Sequence, residues 1–185
     1  ASGAEPDRVL LDLLGRALVE VGDGWAEGRL GVEDEHRATA VAQRLIGRLG
    51  PRFAHRGRKR GTIIVGAPAG EEHGLPSAIL SDVLRGARFE VHDLGADTPA
   101  ASFAAAATQT DRLAAVMIGA TTPGNDRSVR QAFTALRAAG VTAPLFAGGA
   151  AIADQAHAEE LGADHWTGRD ARAAVAAVEA ASGGS

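Results

Sequence analysis

A carboxylate and an imidazole stand close together in the stretch GAPAGEEHGLPSAIL, residues 66–80. Glu71 precedes His73 by two residues, so its carboxylate can accept a hydrogen bond from one ring nitrogen and leave the other nitrogen free to bind a metal. The alternative is an ordinary solvated histidine near a helix start. The pair indicates a metal-ligating histidine if other parts of the chain converge on it.

The surrounding chain alternates apolar strands with helices. Two helices are predicted at residues 7–21 and 32–49, ahead of five strands that are each followed by a helix. The strands are predicted at 61–68, 87–95, 113–120, 143–149 and 163–168, and their helices at 75–86, 99–109, 126–139, 151–161 and 169–181. This alternation predicts an α/β fold with a doubly wound parallel five-stranded sheet, covered on both faces.

The same pattern divides the chain into three segments. We expect a helical bundle over residues 1–50, a basic linker over 51–60 and an α/β domain over 61–185. Ligands of such sheets bind beyond the carboxyl ends of the strands, where the strand order reverses. His73 follows the first predicted strand and is therefore expected at that edge.

The composition and the absence of certain motifs exclude several classes of function. The 185 residues carry a formal net charge of −4 and include no cysteine, which gives no general attraction to nucleic acid and excludes disulfides, thiolate metal sites and thiol nucleophiles. No apolar run approaches the roughly 20 residues of a membrane span, and no motif of hydrolytic or phosphoryl-transfer enzymes is present. We expect a soluble, cytoplasmic protein with no membrane partner.

The spacing of further residues resembles that of cobalamin-binding domains of the methionine-synthase type. Their pattern is Asp-x-His-x-x-Gly, 41 residues, Ser-x-Leu, 26 to 28 residues, and Gly-Gly, and here its parts fall on Glu71–Pro76, Ile118–Ala120 and Gly148–Gly149. The resemblance implies a flavodoxin-like fold that binds cobalamin with His73 as the lower axial cobalt ligand. It also implies that the nucleotide tail passes Gly119, Gly148 and Gly149, where the missing Cβ lets a ligand approach the backbone.

Four positions depart from that pattern. Glu71 replaces aspartate, Pro76 replaces glycine, Ile118 replaces serine and Ala120 replaces leucine. The missing serine leaves the hydrogen-bond relay of the lower ligand one member short, and proline removes a backbone donor. Other candidate cofactor-binding residues follow His73 or lie at strand ends, where they could bond to the cofactor or form turns and caps: Leu75, Ser77, Asp97, Thr98, Thr121 and Thr122.

The helical segment carries a second motif in the stretch WAEGRLGVEDEH. Trp25 is followed by nine residues and then by Glu35 and His36, a spacing that resembles the signature of CarH-type photoreceptors, which bind adenosylcobalamin as a chromophore. The resemblance implies that Trp25 packs on the adenosyl group, Glu35 hydrogen-bonds to it and His36 lines the same pocket. The family's best-known members have a histidine after the tryptophan, where this chain has Ala26. Without a cofactor, Trp25 would be a core anchor and Glu35–His36 a solvated first helical turn.

These resemblances predict a non-enzymatic cobalamin sensor. We expect a light-responsive adenosylcobalamin photoreceptor that acts through a conformational or oligomeric switch in signalling or transcription regulation. Its partners would be cobalamin and a second copy or another protein, with DNA reached only through a module absent from this chain. The alternative is a corrinoid carrier protein of a methyltransferase system, and a third reading is a flavodoxin-like module that binds no corrin.

Overall fold

The computed structural model describes residues 6–54 and 57–182. The chain divides into two compact units, a helical unit (Ala1–Ala54) and an α/β unit (His55–Ser185). Across the described ranges, no helix combines the length and the apolar character needed to cross a membrane.

Amphipathic helices form the helical unit. Its elements are α1 (Pro6–Arg8), a π-helical stretch (Val9–Gly15), α2 (Arg16–Ala26), α3 (Val32–Leu49) and a short 3-10 helix (Gly50–Phe53). The acidic first turn of α3 suits the positive end of the helix dipole. The apolar side chains that this unit buries recur at helical spacing: Leu10, Leu14, Ala42, Ile46 and Phe53.

The helical unit differs from the sequence prediction in two places. The first helical run continues to Ala26, five residues beyond the predicted end, and stops before Gly28, whose φ of 71° suits glycine. The first residues of the predicted linker form the 3-10 helix, and the ring of Phe53 at its end is buried. Residues 55 and 56 of that linker lie outside the described residues.

The α/β unit confirms the predicted parallel sheet of five strands. The strands have the order β2-β1-β3-β4-β5, and every pair of neighbours is parallel. Because the order reverses between β1 and β3, the loops after these two strands flank the crevice where such sheets bind ligands. The strands are β1 (Thr62–Gly66), β2 (Glu90–Asp93), β3 (Leu113–Gly119), β4 (Leu145–Gly148) and β5 (His165–Trp166).

Helices cover both faces of the sheet, as the alternation predicts. The helix predicted at 151–161 starts later than expected, at Gln155, because the Asp154 carboxylate accepts the backbone N–H of His157 at 2.9 Å and caps the helix there. The helices are α4 (Leu75–Gly86), α5 (Ala100–Thr108), α6 (Asp126–Ala138), α7 (Gln155–Leu161) and α8 (Ala171–Ser182).

Successive residues of the central strands enter two separate apolar cores. Ile64 and Val116 pack in the cluster that contains Phe103 of α5, whereas Ile63 and Met117 pack in the cluster on the opposite face. This alternation follows from the two-residue period of a strand. The continuous apolar runs seen in the sequence are therefore strands buried on both faces.

Replacement of Phe103 by alanine tests the first core. The ring is fully buried, so Phe103→Ala is expected to lower the free energy of unfolding by about 3–5 kcal/mol through lost burial and an unfilled cavity. Urea denaturation measures the loss, with exposed Ser102→Ala on the same helix as the control. Equal stability of the two variants would contradict this packing.

Candidate functional site

A buried carboxylate lies where the loops after β1 and β3 meet. Glu71 is fully buried, although it belongs to the loop after β1. Its Oε2 accepts the backbone N–H groups of Thr121 and Thr122 at 2.7 and 2.8 Å, and the Asn125 amide nitrogen donates to the same oxygen at 3.3 Å. All three donors belong to the loop after β3 or to the start of α6, so the carboxylate joins both sides of the crevice.

The other oxygen of Glu71 is directed to His73. Oε1 accepts the backbone N–H of His73 at 3.1 Å and lies 2.6 Å from ring atom Nδ1, while the Thr122 hydroxyl donates to it at 3.4 Å. The Thr122 Oγ1 also lies 3.2 Å from Nδ1. The carboxylate thus faces donors on both oxygens, as a buried charge requires.

The surroundings of Glu71 keep it ionised. Burial alone raises the pKa of this carboxyl, but the hydrogen bonds from Thr122, His73 and Thr121 outweigh burial and hold the pKa below its ordinary value of 4.5. An ionised carboxylate can only accept, so the hydrogen-bond network assigns the proton of the short contact to His73 Nδ1. In a neutral imidazole whose proton is on Nδ1, the lone pair is on Nε2.

His73 combines a fixed nitrogen with an accessible one. Its Nδ1 is held by Glu71, yet 60% of its side chain is exposed. The structure describes no group of three or more His, Cys, Asp or Glu side chains that could hold a metal ion. A single imidazole instead suits a metal that brings its own equatorial ligands, as the cobalt of a corrin ring does. The donor set of this edge therefore fits a corrinoid.

The loop after β2 supports the loop that carries Glu71. The Asp97 side chain accepts the N–H of Gly70 at 2.8 Å, and the backbone N–H of Asp97 donates to the Glu71 carbonyl at 2.8 Å. Thr98 is buried, and its hydroxyl donates to the Leu94 carbonyl at 3.1 Å. Asp97 and Thr98 were predicted either to bond to a cofactor or to form turns and caps, and here their side chains bond to backbone groups of these two loops.

The three candidate glycines have different surroundings. A Cβ at Gly148 would collide with the Thr167 hydroxyl, and one at Gly149, whose φ is 103°, would collide with the Ala120 carbonyl oxygen. Packing within the chain thus explains both glycines. A Cβ at Gly119 would meet no atom within 4 Å, so the end of β3 offers open space beside the site.

The relay that the sequence leaves short has a hydroxyl from another position. Ile118 is buried in the first apolar core, where it cannot replace the family's serine, while Thr122 brings a hydroxyl to both Glu71 and His73. Thr122 was a sequence candidate, but its place in this relay was not predicted, and Asn125 was missed. The only feature of the sequence that could have indicated Thr122 and Asn125 was their position just after the end of a strand.

The remaining α/β candidates lie in the first turn of α4. Leu75 begins the helix and is partly buried, and Ser77 is buried. Pro76 occupies the first helical turn, where the missing N–H has no intrahelical partner to lose. The replacement of the family's glycine by proline is therefore compatible with this helix start.

The candidates of the helical unit are accessible within that unit. Trp25 lies in the last turn of α2 with 55% of its surface exposed. Glu35 and His36 lie in the first turn of α3, where Glu35 accepts the Thr39 hydroxyl at 2.8 Å and lies 3.7 Å from His36 Nε2. The exposure of Trp25 contradicts the interpretation of this residue as a core anchor of the helical unit.

Comparison with protein families agrees with this site. Residues 61–177 match the B12 binding domain family, and residues 1–49 match a second B12 binding domain family. The chain belongs to the B12 binding domain family. Cobalamin binding by this fold, predicted from the spacing around His73, is thus supported at the level of the family.

The relatives found are named as corrinoid proteins and not as photoreceptors. Dimethylamine corrinoid protein of Methanosarcina barkeri is 30% identical over 182 residues, 95% of this chain and 83% of the relative. Dimethylamine corrinoid protein 3 of Methanosarcina acetivorans is 34% identical over 126 residues, which are 66% of this chain and 57% of the relative. This chain therefore covers little more than half of that second relative.

Solved structures support the fold. The monomethylamine corrinoid protein of Methanosarcina barkeri superposes with a TM-score of 0.82 at 18% identity, covering 97% of this chain and 85% of that one. A chain of the methanol:cobalamin methyltransferase complex of the same organism gives a TM-score of 0.63 at 20% identity, with 100% and 70% coverage. The flavodoxin-like fold preceded by helices is thus confirmed.

Glu71→Gln tests the buried carboxylate. Because its pKa in the folded protein lies below 4.5, the ionised group stabilises the fold above that pH, and this stabilisation is lost as the pH falls through the folded-state pKa. At pH 7 the variant should lose about 1–3 kcal/mol, since an amide N–H₂ would face backbone donors. Urea denaturation between pH 3 and 7 should also show a weaker acid dependence than in the native protein.

The neighbouring Glu72→Gln is the matched control, because this side chain is exposed. It should leave both the stability at pH 7 and the acid dependence unchanged. Equal behaviour of the two variants would contradict the role of the Glu71 network.

Gly149→Ala and Gly119→Ala test the glycines as a pair. The first forces a Cβ against a backbone carbonyl at a positive φ and is expected to lower the free energy of unfolding by about 2 kcal/mol or more. The second places its Cβ in open space and should change it by no more than about 0.5 kcal/mol. Urea denaturation compares them, and a similar loss in both would contradict the difference between their surroundings.

Proposed function

We propose that this chain is a corrinoid carrier protein, which binds cobalamin through His73 and passes a methyl group between partner proteins of a methyltransferase system. The single observation that carries the proposal is the exposed His73 imidazole whose Nδ1 is fixed by the buried Glu71. The dimethylamine corrinoid relatives favour a carrier over the photoreceptor that the helical motif predicted. We also propose that residues 51–60 are the linker between the helical bundle and the cobalamin-binding domain.

The residues of the site have separate tasks in this proposal. His73 Nε2 would be the lower axial ligand, and Gly119 would leave room for the nucleotide tail between the site and β4. Gly148 and Gly149 would border the same passage, with Leu75 and Ser77 on the opposite side at the start of α4. When bound, cobalamin supplies a cobalt centre that accepts and releases a methyl group.

The Glu71 network would control the basicity of the imidazole. A carboxylate that accepts several N–H bonds is a weak base, so the proton of the short contact remains on His73 Nδ1. The hydrogen bond still increases the electron density available at Nε2. The chain itself would thus hold and orient the cofactor, while the chemistry of methyl transfer would be completed by partner proteins.

A second candidate is the light-responsive adenosylcobalamin sensor. It is favoured by the spacing of Trp25, Glu35 and His36 and by the exposure of Trp25 within the helical unit. Ala26 excludes an upper histidine ligand directly after the tryptophan, so a lit state would require another ligand. The exposed tryptophan equally suits an apolar lid over a methyl group, which leaves the carrier as the better supported function.

Cobalamin loading tests the lower ligand. Protein labelled with ¹⁵N-histidine and loaded with cobalt(II) cobalamin should show the two-line nitrogen splitting of ¹⁵N in its electron paramagnetic resonance spectrum, because one imidazole nitrogen binds cobalt. His73→Ala should lose this splitting and bind cobalamin at least about tenfold more weakly. The control His92→Ala alters an exposed histidine of β2 and should retain both the splitting and the affinity for cobalamin. A splitting that survives in His73→Ala would contradict the assignment.

Comparison of two cofactors separates the two candidate functions. We expect the carrier to bind methylcobalamin in the dark and to keep its size on a gel-filtration column after illumination. A sensor would instead retain adenosylcobalamin and change its assembly with light. Failure to retain any corrinoid would overturn both functions.

A further inference from the structure

A cluster of basic side chains lies at the opposite edge of the sheet. It lines an open surface depression of about 730 Å³ beside the amino ends of β1, β2 and β3. We name it the basic pocket, because five of its lining residues are cations and one is a carboxylate. The lining consists of Arg58, Lys59, Arg60, Arg88, Arg112 and Glu179, with Gly86 and Ala87.

The charge of this pocket contrasts with that of the chain. The formal net charge of the whole protein is −4, yet the pocket collects five positive side chains from three separate segments. Its carboxylate, Glu179, is already paired with Arg60. Like charges held together destabilise the folded state unless an anion compensates them.

Two of these arginines occupy backbone conformations that favour glycine. Arg88 has a φ of 70° and Arg112 a φ of 53°. A non-glycine residue in the left-handed region is less stable there by about 1–2 kcal/mol. Such outliers are found where a side chain has a function that glycine cannot supply.

The other helix ends of this unit provide an internal comparison. Arg88 lies in a Schellman turn, in which the Phe89 N–H donates to the Leu84 carbonyl after α4. The equivalent turns after α6 and α7 have the same hydrogen bond and contain Gly140 and Gly162, with φ values of 80° and 99°. Glycine is the usual residue at this position. The backbone therefore does not explain arginine at position 88.

The guanidinium groups are positioned by the chain. Arg88 Nη2 donates to the Arg58 carbonyl at 3.2 Å, and Arg112 Nη2 donates to the Lys59 carbonyl at 3.3 Å. Each of these bonds occupies one of the five N–H donors of its guanidinium. Arg60 lies over the ring of Phe89 at 4.9 Å. The segment 58–60 is thus held between the turns that carry Arg88 and Arg112.

We propose that the basic pocket binds a small polyanion that bears two or more phosphate groups. Guanidinium groups bind phosphate through paired hydrogen bonds. A chain of phosphates would place several negative charges in the volume that the five cations line. The pocket volume lies in the range of small-ligand sites. An occupant would connect the amino ends of β1, β2 and β3 at the edge opposite His73.

The lining of the pocket disfavours a protein partner. Interface cores are rich in aromatic and large apolar side chains, whereas the uncharged lining here consists of Gly86 and Ala87. The exposed large apolar residues of the described chain belong to the helical unit: Leu13, Val19, Trp25, Val32, Val41 and Leu45.

Calorimetric titration with sodium tripolyphosphate tests the proposal. At constant ionic strength the intact protein should bind one equivalent, and the double variant Arg88→Gly with Arg112→Gly should bind about tenfold more weakly for each arginine removed. Because glycine suits both backbone positions, this variant should fold with undiminished stability. Arg58→Ala, a change at an exposed position, is a second variant that should weaken binding.

Two comparisons complete the test. Arg127→Ala with Arg169→Ala removes the same charge from exposed positions outside the pocket and should leave the affinity for tripolyphosphate unchanged. Equal weakening in this control would show attraction by net charge alone and would overturn the site. Absence of saturable binding, or equally tight binding of citrate, would overturn the phosphate assignment. None of these outcomes depends on cobalamin binding at His73.

Discussion

The buried carboxylate of Glu71 organises the cofactor edge of this protein. A charge removed from water must be met by hydrogen bonds, and here the donors come from Thr121, Thr122 and Asn125 on one side and from His73 on the other. Two loops that are far apart in sequence are thereby held together. The orientation of the imidazole and its tautomer both depend on this one ionised group.

The chain departs from the pattern that it resembles, yet a hydroxyl still lies beside Glu71 and His73. Where the pattern of the methionine-synthase type has a serine, this chain has Ile118, which is buried in the core. The hydroxyl beside the histidine belongs instead to Thr122, a few residues further along and outside the strand. A relay of carboxylate, imidazole and hydroxyl can therefore be assembled from different positions, because only the meeting of the groups in space matters.

The two edges of the parallel sheet differ chemically in this protein. The carboxyl edge contains the switch point with Glu71 and His73, whereas the amino edge holds the basic pocket with two arginines in glycine-type turns. Because all five strands are parallel, their carboxyl ends lie at one edge of the sheet and their amino ends at the other. The names of the relatives bear only on the corrinoid expected at the first edge. The basic pocket at the second edge is inferred from this chain's own residues.

The sequence by itself determined the alternation of strands and helices, most helix limits and the pairing of Glu71 with His73, because each depends on residues close together in the chain. The tertiary structure decided which distant loops meet. Thr122 and Asn125 reach Glu71 only because β3 lies beside β1, an order that alternation alone does not specify. For the same reason, the packing that requires Gly148 and Gly149, and the convergence of Arg58, Arg88 and Arg112, became visible only in the folded chain.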